Sequence, residues 1–194
     1  MKKHCSRILI IAISLLLACP LTACKKKSET KATHIKGGST KKVDKDAPKE
    51  IESTELISLS IKSSTIASVG VEEYEGLEYG VYYFEFEVDL KTKEGSGSYR
   101  FEKQYEEDEA VDHEFSADED FMIKLEKIIR DGGISRLNGN HNKTNGIQDI
   151  YGYRVSAVYA SGEKISCSDN SSNWISLETT KELNDLFREA SGVA

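Results

Sequence analysis

The sequence predicts an α+β fold, an antiparallel sheet of about five strands with two helices on one face, in the order strand-strand-strand-helix-strand-strand-helix. Three observations carry this expectation. Tyr82, Phe84, Phe86, Val88 and Leu90 alternate with Tyr83, Glu85, Glu87 and Asp89, the period of a strand with one face buried. Phe121, Leu125, Ile128 and Ile129 recur at the spacing of an apolar helical stripe. Turn chemistry, from Lys93 to Gly97 and again at Ser161 and Gly162, separates successive strand patterns.

In chain order, the first segment reads as an export signal. Lys2, Lys3 and Arg7 precede an apolar run from Ile8 to Ala18, which is too short to span a bilayer as a helix and has the length of a signal-peptide core. Leu21, Thr22, Ala23 and Cys24 follow. These four residues resemble the lipobox of the prokaryotic membrane lipoprotein signal family. The resemblance implies residues 1–23 as a cleaved signal peptide and a diacylglyceryl thioether on Cys24, usually with acylation of the new amino terminus. A second register, Leu16 to Cys19, also fits the pattern, but it shortens the apolar core and puts Pro20 directly after the modified cysteine. Cys24 is the preferred lipidation site. The expected location is the extracytoplasmic face of the cell membrane, with membrane lipid as a partner through Cys24.

Residues 24–50 are expected to form the lipidated cysteine and a flexible tether, because lysine, serine, threonine, glycine and aspartate dominate and little can be buried. As a random coil such a segment spans about 30 Å. Its nine lysines against four acids would also favour anionic lipid. Of the chain's 26 basic and 33 acidic residues, three basic ones lie in the signal and nine basic and four acidic ones in the tether. That leaves 14 basic against 29 acidic residues in 51–194, a charge of about −15. So negative a domain disfavours nucleic acid and anionic glycopolymers and leaves basic proteins, peptides or cations as partners.

Residues 51–194 have the size of one globular domain. Leu56 to Ser63 alternates as a first strand, Tyr82 to Leu90 is the second, and Tyr99 to Tyr105 resumes as its hairpin partner. Ser116 is expected to open a helix, with Glu119 as its capping-box residue, and Gly132 and Gly133 close it. Asn138 to Gly146 reads as a polar loop and a candidate ligand site. Tyr153 to Tyr159 and Lys164 to Ser168 form a second hairpin. A final helix is expected from Thr179, with Glu182 as capping partner and Leu183, Leu186, Phe187 and Ala190 buried. The last third of the chain, from Tyr159 through Asn170 to the closing helix, loosely resembles a group of small lipoproteins of Gram-positive anaerobes, to which no activity is assigned. This resemblance supports the architecture alone.

Four constellations bear on chemistry. Ser161 with Lys164, and Ser168, Asp169 and Asn170, spell two motifs of serine β-lactamases. However, Ser161 falls in a turn where that nucleophile must begin a helix, and Lys143 and Thr144 are followed by Asn145, so the reading is rejected. Cys167 could serve as a thiol nucleophile with His113 or His141 as base and Asp149 or Asp169 orienting it, although a lone thiol in a strand is more often core. The acidic run from Glu106 to Asp120, including Asp108, Glu109, Asp112, Asp118 and Glu119, and the loop from Asp169 to Asn173 offer oxygen ligands to calcium. The loop lacks the glycine at its sixth position and the glutamate at its twelfth that an EF-hand needs, since Trp174 and Thr180 stand there. Tyr151, Tyr153, Tyr159 and Trp174 could belong to a recognition surface or to the core. There is no phosphate-binding glycine loop or dinucleotide fingerprint, and no cofactor is expected. The reading these features favour is an envelope binding or interaction module for a protein or peptide. The alternatives are an envelope enzyme using Cys167 or a histidine, and a calcium-responsive structural lipoprotein.

Overall fold

A computed structural model describes the backbone of residues 33–35 and the whole of residues 38–105 and 110–193. The segment expected to be an export signal, Cys24 and the part of the acidic run at 106–109 lie outside the described residues.

The expected five-strand antiparallel sheet is corrected by the structure. One mixed sheet of nine strands runs in the order β1-β2-β7-β9-β8-β3-β4-β5-β6. The strands are β1 (Thr33–Ile35), β2 (Ser39–Val43), β3 (Leu56–Ser64), β4 (Gly80–Val88), β5 (Gly95–Lys103), β6 (His113–Ala117), β7 (Asn140–Thr144), β8 (Tyr153–Tyr159) and β9 (Lys164–Asp169). Two helices, α1 (Glu119–Asp131) and α2 (Leu177–Ser191), follow β6 and β9. All pairings are antiparallel except β7 with β9. The predicted order therefore lacked four strands, β1, β2, β6 and β7, and the parallel pair.

Three of the four missed strands, β7, β2 and β6, have a physical reason. β7 is the segment read as a polar loop. Its asparagines have low strand propensity, but β2 on one side and β9 on the other satisfy its backbone, so tertiary pairing overrides propensity. β2 lies inside the segment expected to be tether, pairing Ser39 to Val43 with Thr144 to Asn140. Beyond it, the amide of Asp44 donates to the Gly139 carbonyl at 2.8 Å, so the sheet-forming chain begins before Ile51. β6 contributes only Phe115 and Ala117 as apolar residues, too few for a pattern.

The helix starts also move. Asp118, not Ser116, caps α1, its Oδ1 accepting from the Phe121 amide at 2.8 Å, while Ser116 lies in β6. Ser176 caps α2, accepting from the Thr179 amide at 3.0 Å. Thr179 is already inside the helix, and Thr180 is buried against Ser63 through a 2.8 Å hydroxyl pair.

Both helices cover the same face of the sheet. Leu59 and Ile61 of β3, Tyr82, Phe84 and Phe86 of β4, Tyr99 of β5, and Val155, Ala157 and Tyr159 of β8 form that face, all buried. Phe187 of α2 packs on Phe84 at 5.1 Å and on Phe121 of α1 at 5.2 Å between ring centroids, and Phe115 meets both helices edge-on. Gly97 admits the Phe115 ring, since a Cβ there would occupy the ring's position. Gly152 is required in the same way, because a Cβ would overlap the Asp169 carbonyl oxygen across β8 and β9.

Candidate functional site: the open face of the sheet

Among the described residues nothing covers the face opposite the helices, and its side chains fall into rows because register partners project on the same side. One row runs Ser166, Ser156, Ser60, Glu85, Ser98 and Glu114 across β9, β8, β3, β4, β5 and β6. The next row along the strands holds Ser58, Glu87, Ser96 and Ser116. These short side chains leave a shallow trough of about 660 Å³, with Glu85, Glu87 and Glu114 exposed in it and no basic residue in its lining. Ser60 Oγ donates to Glu85 Oε1 at 3.4 Å, the only side-chain hydrogen bond within these rows among the described residues.

A third row, on the other side of the first, is cationic and aromatic: Lys42, His141, Ser168, Arg154, Lys62, Tyr83 and Arg100. Arg100 lies 4.1 Å over the Tyr83 ring and pairs with Glu102 at 3.3 Å, and Tyr83 donates to Glu102 at 3.0 Å. Lys62 Nζ donates to the Asp149 carbonyl. Burial pulls the Lys62 ammonium below its ordinary pKa, the neighbouring Asp149 opposes this, and Arg154 adds to it. Overall negative charge thus conceals a face with separate acidic and basic zones.

The residues singled out from sequence are scattered rather than gathered. Cys167 is fully buried on the helix side, and burial pushes its thiol up to about 12. His141 projects from the open face, where its Nδ1 contacts Ser168 Oγ at 3.0 Å. Burial, and then Lys42, lowers its pKa. His113 is on edge strand β6, separated from β9 by four strands, roughly 24 Å at the usual strand spacing. Among the described residues no Cys167–histidine pair forms.

Asp169, Asn170 and their neighbours form a structural junction. Asp169 accepts from Asn142 Nδ2 at 2.9 Å, from the Ser171 amide and hydroxyl at 2.8 Å each, from the Ser172 amide at 3.2 Å and from Trp174 at 3.4 Å. Burial would raise its pKa, but these donors outweigh it and hold the carboxyl below its ordinary value. Asn170 ties β9 to β7 through Thr144 and Ile147. Ser161 lies in the β8–β9 turn and donates to Glu163 at 2.8 Å.

Among the described residues no group of three or more acidic, histidine or cysteine side chains converges as a metal site. Asp118 is a helix cap, Asp120 pairs with Lys124 at 2.7 Å and Asp112 lies 3.8 Å from Arg100. Of the four aromatics, Tyr153 and Tyr159 are core, whereas Tyr151 and Trp174 are exposed. The serine and glutamate rows were hidden in sequence because they come from six strands, each contributing one or two residues. The only signal was the polar half of each alternation, as in Glu85 and Glu87. No protein-family model matches this chain, and a search of curated proteins finds no significant match, so its functional reading rests on its own residues.

Proposed function

We propose that this chain is an extracytoplasmic lipoprotein, tethered to the cell membrane through acylated Cys24, whose domain acts as an envelope binding module. The observation that carries the binding role is the bare sheet face, a broad shallow surface of serines and glutamates beside a cationic row. Short hydroxylated side chains let a partner approach the sheet closely. Glu85, Glu87 and Glu114 favour basic groups, so the partner is an envelope protein or peptide that presents lysine or arginine to the trough. The lipobox and signal segment support the anchor. The enzyme reading has less support, because Cys167 and the two histidines occupy different faces or distant strands.

Two measurements test this. Expressed in a bacterium, the full chain is expected to gain a labelled fatty acid and lose its first 23 residues, and Cys24→Ala is expected to abolish both. Unlabelled wild type would remove the anchor. A photocrosslinking residue at Ser60 on the open face is expected to yield envelope adducts that the triple change Glu85→Lys, Glu87→Lys and Glu114→Lys eliminates. The same crosslinker at Lys124 on α1 is expected to yield none. Equal adducts at both positions, or none at Ser60, would remove the open face as the binding surface.

A further inference from the structure

A second concave feature lies on the helix side, away from the open face. It is a cleft of about 280 Å³ between the C-terminal half of α1, the end of the β8–β9 hairpin and the segment Lys49 to Ile51. Tyr159 and Glu126 form its polar interior and are 1% and 7% exposed. Their side chains lie close enough to alter one another's proton affinity, and burial raises the pKa of both. Tyr159 Oη and the Glu126 carboxylate face one another, yet neither Tyr159 Oη nor Glu126 Oε2 makes a well-formed hydrogen bond among the described residues. Unpaired polar atoms buried this deeply are rare in folded proteins and mark places where something else supplies the partner.

The remaining lining is mostly of two kinds, with Ser135 and the exposed Glu50 beside them. Ile129 and Ile165, with Ile51 from the preceding segment, make apolar walls. Arg130 and Arg136 stand at the rim, both exposed, with Arg130 only 3.7 Å from its exposed neighbour Asp131. Lys49 is engaged with the Asn138 carbonyl and serves as a wall. The cleft therefore orders its chemistry by depth: hydrogen-bond acceptors inside, aliphatic surface around them and guanidinium groups at the mouth.

We propose that this cleft binds a small zwitterion with an aliphatic body, of the size of a free amino acid. The ammonium donates to Glu126 Oε2 and Tyr159 Oη, the aliphatic part packs on Ile129 and Ile165, and the carboxylate meets Arg130 and Arg136. Arginine forks suit a carboxylate, and a buried carboxylate with a free oxygen suits an ammonium. This site is separate from the open face and stands or falls independently of it.

Calorimetric titration of the detergent-solubilised full chain with leucine, 4-methylpentanoate and isoamylamine tests the assignment. Leucine is expected to bind at least about tenfold more tightly than either half-ligand, the effect of one charge-assisted contact. Glu126→Gln, and separately Arg130→Gln with Arg136→Gln, are expected to weaken leucine by about tenfold, with unchanged circular dichroism. The arginine pair is exposed, so its loss keeps the test valid if a core variant misfolds. Three results would overturn the proposal: no heat with leucine, which leaves a water-filled cleft; 4-methylpentanoate binding as tightly as leucine; or the exposed control Lys124→Gln lowering affinity as much as Glu126→Gln.

Discussion

Asp169 shows how one carboxylate organises a junction. It collects donors from β7, from the turn after β9 and from Trp174, and through them fixes where the chain leaves the sheet for α2. Replacing it with alanine strands those donors, and Asp169→Ala is expected to cost roughly 3 kcal/mol, read from urea unfolding. A pH series gives the sign. The folded pKa lies below the ordinary 3.8, so ionised Asp169 stabilises the fold above that value, and the contribution is lost as pH falls through the lower folded value. Wild type and variant should therefore converge in stability at strongly acidic pH. A constant gap across the series would show that Asp169 acts by shape rather than charge. The S-D-N string that resembles an enzyme motif is, on this geometry, a set of loop fasteners.

Among the elements, β2 and β7 are the instructive pair. Strands β3, β4, β5, β8 and β9 were legible because one side of each faces a core and the other water, which writes hydrophobic alternation into the sequence. β7 has no such alternation, since Asn140, His141, Asn142 and Thr144 are all half-exposed. It exists because Asn138, buried at its entrance, donates to Pro48 and Lys164 and accepts from the Ser166 amide. β2 then covers the free edge of β7, which otherwise presents unpaired backbone to solvent. Deleting residues 38–50 is expected to lower the melting temperature by several degrees and to increase aggregation, measured by calorimetry and light scattering. Unchanged melting would make β2 an optional addition. The candidate site was only half legible for the same reason: each strand showed its own polar residues, but their side-by-side arrangement depends on register.

At the scale of the whole molecule, the sheet has two unlike sides. The helix side holds the aromatic core that packs α1 and α2, and the open side holds the rows of serine, glutamate and basic residues. Cys167 sits on the closed side with no exposure, and burial raises its pKa to about 12, so it reports on opening of the fold as a whole. In native buffer at pH 8 the thiol is expected to resist iodoacetamide for hours, and in 6 M guanidinium to react within minutes. Rapid labelling of the native chain would show local opening of β8 and β9 and would restore a reactive role for the thiol.

By itself the sequence determined the core-facing strands, the existence of both helices and the acidic balance of the domain, because burial periodicity, helical stripes and charge are properties of neighbouring residues. The resemblance of Leu21 to Cys24 to a lipobox is likewise a linear feature that needs no fold. Tertiary structure alone decided that part of the segment read as a tether joins the sheet, that a polar segment becomes an interior strand, and that serines and glutamates from six strands form one trough. It also brought Glu126 of α1 beside Tyr159 of β8. These features rest on contacts between residues far apart in the chain, and their strength comes from backbone pairing and close packing, which leave no periodic trace in the residues that make them.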